Sequence, residues 1–127
     1  MSNIEVINTN DAPAALGHYS QAIRHNELIY VSGQLPIDPC DPDKNFLTAA
    51  EQTTQTLKNI QAILNEAGSD ISKVLKAEIY ISDLALWAEV NQAYAEFFGR
   101  HKPARAAVPV TGLPKGFFVE IAVQACC

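Results

Sequence analysis

In the segment from Phe117 to Ala125 every second residue is apolar, and this alternation constrains the fold more than any other feature of the chain. A period of two residues predicts a β-strand. The second face of this strand carries Phe118, Glu120 and Ala122, so it is still rather apolar. We therefore expect the strand to lie in a sheet that helices cover on one side and another subunit covers on the other. The first face is apolar throughout: Phe117, Val119, Ile121, Val123 and Ala125.

Two segments have the periodicity of amphipathic helices. The first begins at Thr48, where Thr48-Ala49-Ala50-Glu51 has the spacing of a capping box, and ends before Gly68. Asp83 predicts the start of the second helix and Gly99 its end. The apolar stripe of the first helix is Ala50, Thr53, Leu57, Ile60, Leu64 and Ala67, and the second helix is expected to bury Trp87, Val90, Tyr94 and Phe97.

The remaining apolar segments predict strands. They lie at residues 4–7, in a hairpin formed by residues 20–24 and 28–33, at residues 74–82, and around Arg105. The order is β-β-β-α-β-α-β-β. It predicts a single α+β domain over residues 1–127, with one six-stranded mixed sheet and two helices on one of its faces.

Composition excludes several classes of function. The net charge of -5 and the pI near 5.0 argue against a nucleic-acid partner, because that affinity rests on neutralised phosphates. No apolar run approaches the length of a membrane span, and the N-terminus lacks the pattern of a signal peptide. The three cysteines show no metal-ligand spacing, so we expect free thiols, no metal and a cytoplasmic protein. Cys126 and Cys127 could bind a soft metal or form a frayed tail.

Arg105 and Glu120 are the best candidates for function, because each lies in a segment that otherwise resembles a buried strand. A guanidinium without a charged neighbour suits the binding of a carboxylate through two parallel hydrogen bonds. A glutamate on a partly apolar face could hold a water or a proton. The alternative is that the two side chains neutralise each other inside the sheet.

Other candidates each have two interpretations. Gly33, in Ser32-Gly33-Gln34, could let backbone N–H groups approach a ligand, or could form a bulge. Tyr19 could reach a ligand with its hydroxyl or could pack at the entry to a strand. Asn91 is most simply a solvent-facing helix residue. The three histidines lie in predicted loops without a catalytic spacing, and no phosphate-binding glycine motif occurs.

Several blocks between about Ala12 and Ala125 together resemble the RidA/YjgF family of reactive-intermediate deaminases. The resemblance implies a chorismate-mutase-like fold and a homotrimer whose ligand sites lie between subunits. It also implies hydrolysis of enamine and imine intermediates, such as 2-aminoacrylate, to 2-oxo acids and ammonia without a cofactor. The blocks are Gly17-x-Tyr19-Ser20-Gln21-Ala22, Val31-Ser32-Gly33-Gln34-Leu35-Pro36, Val90-Asn91-x-x-Tyr94-x-x-Phe97-Phe98, Pro103-Ala104-Arg105, Leu113-Pro114 and Val119-Glu120-Ile121.

The resemblance also implies roles for particular residues. Arg105 would bind the substrate carboxylate, and Glu120 would position the attacking water. Two positions depart from the family pattern: His18 replaces a common proline, and Ala107 replaces a common cysteine, which leaves only the backbone N–H of Ala107 available. The alternative function is a non-catalytic trimer that binds small carboxylates or regulates; a ribonuclease, a third possibility, conflicts with the acidic charge. The expected pocket residues are Tyr19, Ser32, Gly33, Asn91 and Ala107.

Overall fold

The alternating C-terminal segment forms a central strand of the sheet in a computed structural model, which describes residues 3–127. One of its faces is buried, and the other is partly apolar and partly exposed. Residues 3–127 form six strands and two helices, with short 3₁₀ turns between some of them. The elements are β1 (Ile4–Ile7), β2 (Ala22–His25), β3 (Leu28–Gln34), α1 (Ala49–Glu66), β4 (Val74–Ile81), α2 (Trp87–Phe98), β5 (Ala104–Pro109) and β6 (Val119–Cys126).

The sheet is mixed and has the order β1-β2-β3-β6-β4-β5. Strand β6 pairs with β3 on one side and with β4 on the other, antiparallel in both cases. Strands β4 and β5 are parallel, and α2 supplies the crossover that a parallel pair requires. This architecture confirms the predicted α+β fold with a six-stranded mixed sheet.

Helix α1 and the covered face of the sheet form the core. Leu57, Ile60 and Leu64 of α1 have no exposed surface, and neither do Ile79 of β4 and Ile121 of β6. Burial of each such side chain stabilises the fold by about 1.5–3 kcal/mol. The 3.6-residue stripe of α1 and the two-residue alternation of the strands therefore meet at one interface.

Polar groups define where the helices begin and how they join. The Thr48 side chain accepts a hydrogen bond from the Glu51 N–H at 3.1 Å, as the capping box predicted. The Glu89 carboxylate of α2 accepts another from the Ala50 N–H at 2.8 Å, so one helix caps the other. Gly68 follows α1 with φ +81°, the left-handed conformation that glycine adopts most easily.

Two local predictions were wrong. Asp83 caps a 3₁₀ turn at residues 84–86, and α2 begins only at Trp87. The helix buries Phe98 rather than Phe97, because Val90, Tyr94 and Phe98 follow one another at intervals of four residues. At the other end of the chain, the expectation of a frayed tail was also wrong: Cys126 ends β6, and the Cys127 N–H donates to the Glu27 carbonyl at 2.9 Å.

The face of the sheet opposite the helices is open and partly apolar in the single chain. The strand registers place on this open face several large apolar side chains that are at least two-fifths exposed: Ile4, Val6, Leu28, Tyr30 and Val108.

Within residues 3–127, no helix is both long and apolar enough to cross a bilayer.

Candidate functional site

Arg105 lies on the edge strand β5 and points towards the helix layer. It is in register with Ala77 of β4, whose side chain is buried on the helix-covered face. One guanidinium nitrogen, Nη1, donates to Oδ1 of Asn91 at 2.7 Å. The guanidinium carbon lies 5.0 Å from the ring centroid of Trp87 and 5.0 Å from that of Tyr94. We call Trp87, Asn91 and Tyr94 the guanidinium cage.

The guanidinium cage holds Arg105 without neutralising it. Aromatic faces attract a cation, and an amide oxygen accepts one of its protons, but none of these groups is an anion. Within residues 3–127 Arg105 forms no salt bridge, and its side chain is exposed. The remaining N–H groups of this rigid fork can therefore bind an external carboxylate.

Trp87 and Tyr94 were assigned to the core from the sequence and were missed as parts of a site. Asn91 was expected in the pocket from the family resemblance, although a solvent-facing helix residue was its simplest interpretation. The three residues are spaced by four and three positions, so they share one face of α2, and a helical stripe of this kind facing a lone arginine was the available signal. Burial raises the pKa of Tyr94, against the opposing effect of Arg105, so its phenol stays neutral at pH 7.

Glu120 lies on the other face of the sheet. It is in register with Tyr80 of β4, one strand away from β5. The side chain is half-buried, and desolvation raises the pKa of its carboxyl above the ordinary glutamate value. A carboxylate of this kind is a better proton acceptor near neutral pH than an exposed one.

Gly33 makes room for the Glu120 carboxylate. The ladder between β3 and β6 is interrupted between Val31 and Gln34, so Gly33 sits in a bulge, as one of its two interpretations predicted. A Cβ atom at this position would lie 2.3 Å from Oε2 of Glu120, far inside van der Waals contact. A larger residue here would therefore displace the Glu120 carboxylate, because of close approach and not because of backbone conformation.

Ser32 and Tyr19 flank the same region. The Ser32 hydroxyl donates to the Ser20 carbonyl at 2.7 Å, so its proton is already used within the chain. Tyr19 is 52% exposed and lines a cleft of about 430 Å³ together with Gly33. These residues and Glu120 thus form one cluster, which we call the Glu120 cluster: Tyr19, Ser32, Gly33 and Glu120.

Ala107 lies on β5 two residues beyond Arg105. The Val110 N–H donates to the Ile81 carbonyl of β4 at 2.9 Å. Because every second N–H of a strand points to the same neighbour, the N–H groups of Arg105 and Ala107 point to the free edge of the sheet. The Ala107 N–H is therefore placed beside Arg105, where it can donate to an external acceptor.

The structure separates the predicted site residues into two groups that do not meet within one chain. One group lies at β5 and on the helix-covered side and contains Arg105, Asn91 and Ala107. The other, the Glu120 cluster, lies on the open face, on the far side of β4 from β5. The two charged side chains therefore do not neutralise each other, and that interpretation of the sequence was wrong.

Comparison with known proteins identifies the family. Residues 9–127 match the protein family described as endoribonuclease L-PSP. The RutC family protein y4sK of Sinorhizobium fredii is 52% identical over 118 residues, which cover 93% of this chain and 94% of that protein. The crystal structure of the YjgF gene product from E. coli superimposes with a TM-score of 0.92 at 36% identity, covering 96% of this chain and 98% of that one.

The chain belongs to the RidA/YjgF family. A further relative is the 2-iminobutanoate/2-iminopropanoate deaminase of Rattus norvegicus, which is 43% identical over 123 residues and matches 95% of this chain and 90% of its own length. The resemblance drawn from the sequence blocks is thus confirmed at the level of the family.

Two buried glutamines hold the segments that carry the Glu120 cluster in this RidA/YjgF chain. Neither was recognised as a site residue from the sequence. Oε1 of Gln52 on α1 accepts from the Phe118 N–H at 2.8 Å and so fixes the chain two residues before Glu120. Gln21 accepts from the Thr9 N–H at 2.7 Å and donates to the Pro13 carbonyl at 2.8 Å, which ties the loop before Tyr19 to β2. Both glutamines were read from the sequence only as parts of longer segments.

Proposed function

We propose that the chain hydrolyses 2-imino acids and their enamine tautomers, of the 2-aminoacrylate type, to 2-oxo acids and ammonia. One observation carries the proposal: Arg105 is held ready for an anion, and Glu120 is a half-buried carboxylate with a raised pKa, although the two face opposite sides of the sheet. The identity of 43% with a 2-iminobutanoate/2-iminopropanoate deaminase supports the same chemistry.

Arg105 binds the carboxylate of the substrate in this proposal. The planar fork donates two parallel N–H bonds, and the N–H of Ala107 donates a third from the same strand edge. The guanidinium cage keeps the fork in one orientation, so little conformational entropy is lost when the ligand binds.

Glu120 positions a water against the imine carbon and accepts a proton from it as the oxygen adds. The proton then passes to nitrogen, which gives a carbinolamine. The hydroxyl proton of this adduct moves to the amino nitrogen, the C–N bond breaks, and ammonia leaves while the C=O of the 2-oxo acid forms. Imines of 2-oxo acids already hydrolyse in water, so orientation and a fixed electrostatic environment are sufficient for catalysis. The chemistry needs no cofactor or metal.

The site is assembled between copies of the chain in a homotrimer. Arg105 of one copy faces the Glu120 cluster of its neighbour, because a single chain holds Arg105 and the Glu120 cluster on opposite faces of the sheet. A heterologous contact of this kind repeats around a ring and gives one site for each interface. The apolar open face supplies the surface for the contact.

RNA cleavage is disfavoured for this member, although the matching family is described as an endoribonuclease. The net charge of -5 provides little of the phosphate neutralisation on which binding to nucleic acid depends. A trimer that only binds small carboxylates would use the same Arg105 fork, so turnover distinguishes it from the enzyme.

A complementation experiment tests both the chemistry and the assembly. Arg105→Ala and Glu120→Gln are prepared separately and then mixed 1:1 and refolded together. 2-Aminoacrylate is generated by a dehydratase, and pyruvate formation is followed. Each variant alone is expected to be inactive, whereas in random mixtures about one interface in four combines an intact Arg105 with an intact Glu120, so roughly a quarter of the wild-type rate returns.

Three outcomes would contradict the proposal. A single variant that clears 2-aminoacrylate as fast as wild type shows that its residue is not catalytic. A mixture with no recovered activity shows that Arg105 of one copy and Glu120 of another do not form a shared site. Wild-type chain that binds 2-oxobutyrate without accelerating pyruvate formation is a binding protein; melting curves of both variants provide the control for folding.

A further inference from the structure

A cleft lined by Tyr19 and Gly33 lies beside the Glu120 cluster. Its volume is about 430 Å³, within the range of roughly 300–1,000 Å³ typical of small-molecule sites. Two loops form its walls, one between β1 and β2 and the other after β3. Its lining is more apolar than polar. The apolar residues include Ala12, Pro13, Leu16, Leu35 and Ile37, and the uncharged polar residues are Asn8, Thr9, Asn10 and Gln34.

The cleft opens at the proposed reaction centre. Tyr19 and Gly33 both line it, and Gly33 is the residue against which the Glu120 carboxylate packs. A substrate whose imine carbon faces Glu120 can therefore extend its side chain past Gly33 into the cleft. A methyl group, which is all that 2-iminopropanoate would insert, leaves most of this volume unused.

We infer that this cleft is the subsite for the substrate side chain and that it selects extended apolar 2-imino acids, branched aliphatic or aromatic, over the smallest ones. The inference rests on the proposed function, since it takes the reaction centre as given. Each methylene group transferred from water to an apolar surface improves affinity roughly fourfold. The apolar walls beside the Glu120 cluster therefore favour a substrate with a longer side chain.

Lys115 is the one cation along the cleft and suggests the competing ligand, a substrate with a second carboxylate. It lies in the turn before β6, with φ +56°, and its side chain is exposed. A hydrated ammonium group contributes little to the binding of a single carboxylate. The apolar walls are therefore expected to dominate selection.

Titration with unreactive 2-oxo acids measures the selection directly. Wild-type protein is titrated with 2-oxobutyrate, 4-methyl-2-oxopentanoate, phenylpyruvate and 2-oxoglutarate. The branched acid has two more carbons than 2-oxobutyrate and is expected to bind roughly tenfold tighter. Phenylpyruvate is expected to bind tighter as well, and 2-oxoglutarate no tighter than 2-oxobutyrate.

Filling the cleft should remove the preference. Ala14 is exposed and lines the cleft, so in Ala14→Phe the ratio of Kd values for 2-oxobutyrate and 4-methyl-2-oxopentanoate should fall to about one. Ala85 is exposed on the turn before α2 and outside the cleft, and Ala85→Phe should keep the wild-type ratio. A ratio within one sample does not depend on the fraction of protein that is folded.

The outcomes separate this inference from the proposed function. If 2-oxobutyrate binds but the branched and aromatic acids bind no tighter, or if their advantage persists in Ala14→Phe, the cleft is not the side-chain subsite. Tighter binding of 2-oxoglutarate shows that Lys115 selects a second carboxylate and overturns the apolar preference. If none of the four acids binds, the Arg105 carboxylate site itself is wrong, and the inference falls with it.

Discussion

Arg105 and Glu120 are both charged residues in apolar strands, but their surroundings act in opposite directions. The Arg105 guanidinium packs against two aromatic faces and donates to an amide oxygen, and none of these groups is an anion. Glu120 is partly desolvated, so its neutral form is favoured relative to an exposed glutamate. The first environment preserves a binding charge, and the second raises the proton affinity of a base.

The raised pKa of Glu120 predicts the pH dependence of turnover. Glu120 must be ionised to accept a proton from water, so kcat should fall as the pH decreases through its raised pKa. The acid limb should therefore lie above the value of about 4.3 for an ordinary glutamate. Glu120→Gln should lower kcat by roughly ten- to ten-thousandfold and remove this limb, as measured in pH–rate profiles of both proteins.

The same raised pKa predicts that stability changes with pH in the opposite direction to turnover. Below the ordinary pKa, Glu120 is protonated in both the folded and the unfolded chain. As the pH rises through the folded pKa, the unfolded chain gains more from ionisation, so the free energy of unfolding decreases. The Tm of Glu120→Gln relative to wild type should thus increase from pH 4 to pH 8; a constant difference would contradict the shift.

At the scale of elements, one bulge and one helix face determine the site. The bulge in β3 brings Gly33 under the Glu120 carboxylate, and the face of α2 that carries Trp87, Asn91 and Tyr94 surrounds Arg105. Bulges interrupt a ladder and redirect side chains, and they occur often beside functional sites. Each element therefore orients one of the two charged groups.

Gly33→Ala is predicted to impair catalysis by displacing Glu120. The new methyl group would lie 2.3 Å from Oε2, so the carboxylate must move, and kcat should fall at least tenfold while binding of 2-oxobutyrate to Arg105 changes less. Gly112→Ala is the matched control, because a Cβ atom there meets nothing within 4 Å. Equal kcat values for the two variants would show that the position of Glu120 does not limit turnover.

The whole molecule presents a sheet with only one covered face. Large apolar side chains remain at least two-fifths exposed on the other face, including Val6, Tyr30 and Val108. Apolar patches that extend over several strands mark interaction surfaces in soluble proteins. This surface and the separation of Arg105 from Glu120 both support the proposed assembly of several copies.

The proposed homotrimer predicts a specific mass in solution. Light scattering on a sizing column should give about three times the chain mass of 13.8 kDa at micromolar concentration. Val6→Lys places a charge on the open face and should shift the mass towards one chain and lower activity in parallel. Leu84→Lys, at an exposed position before α2, should remain trimeric. A wild-type monomer would exclude a site assembled between copies.

The sequence by itself determined the elements and their faces. The capping box at Thr48 and the stripe of α1 depend on contacts between residues three or four apart, and the alternation around Glu120 depends on the two-residue pleat. These interactions are local, so they can be deduced before any tertiary contact is known. Their charge within apolar segments identified Arg105 and Glu120 as candidates, and the family resemblance then implied their roles.

Only the tertiary structure decided how those candidates are arranged. Strand β6 lies between β3 and β4, and the registers place Arg105 on the helix-covered face and Glu120 on the open one. The guanidinium cage depends on α2 packing beside β5, and the contact of Gly33 with Glu120 depends on a bulge in β3. Strand order, register and packing arise from contacts between residues far apart in the chain, and local periodicity carries no information about them.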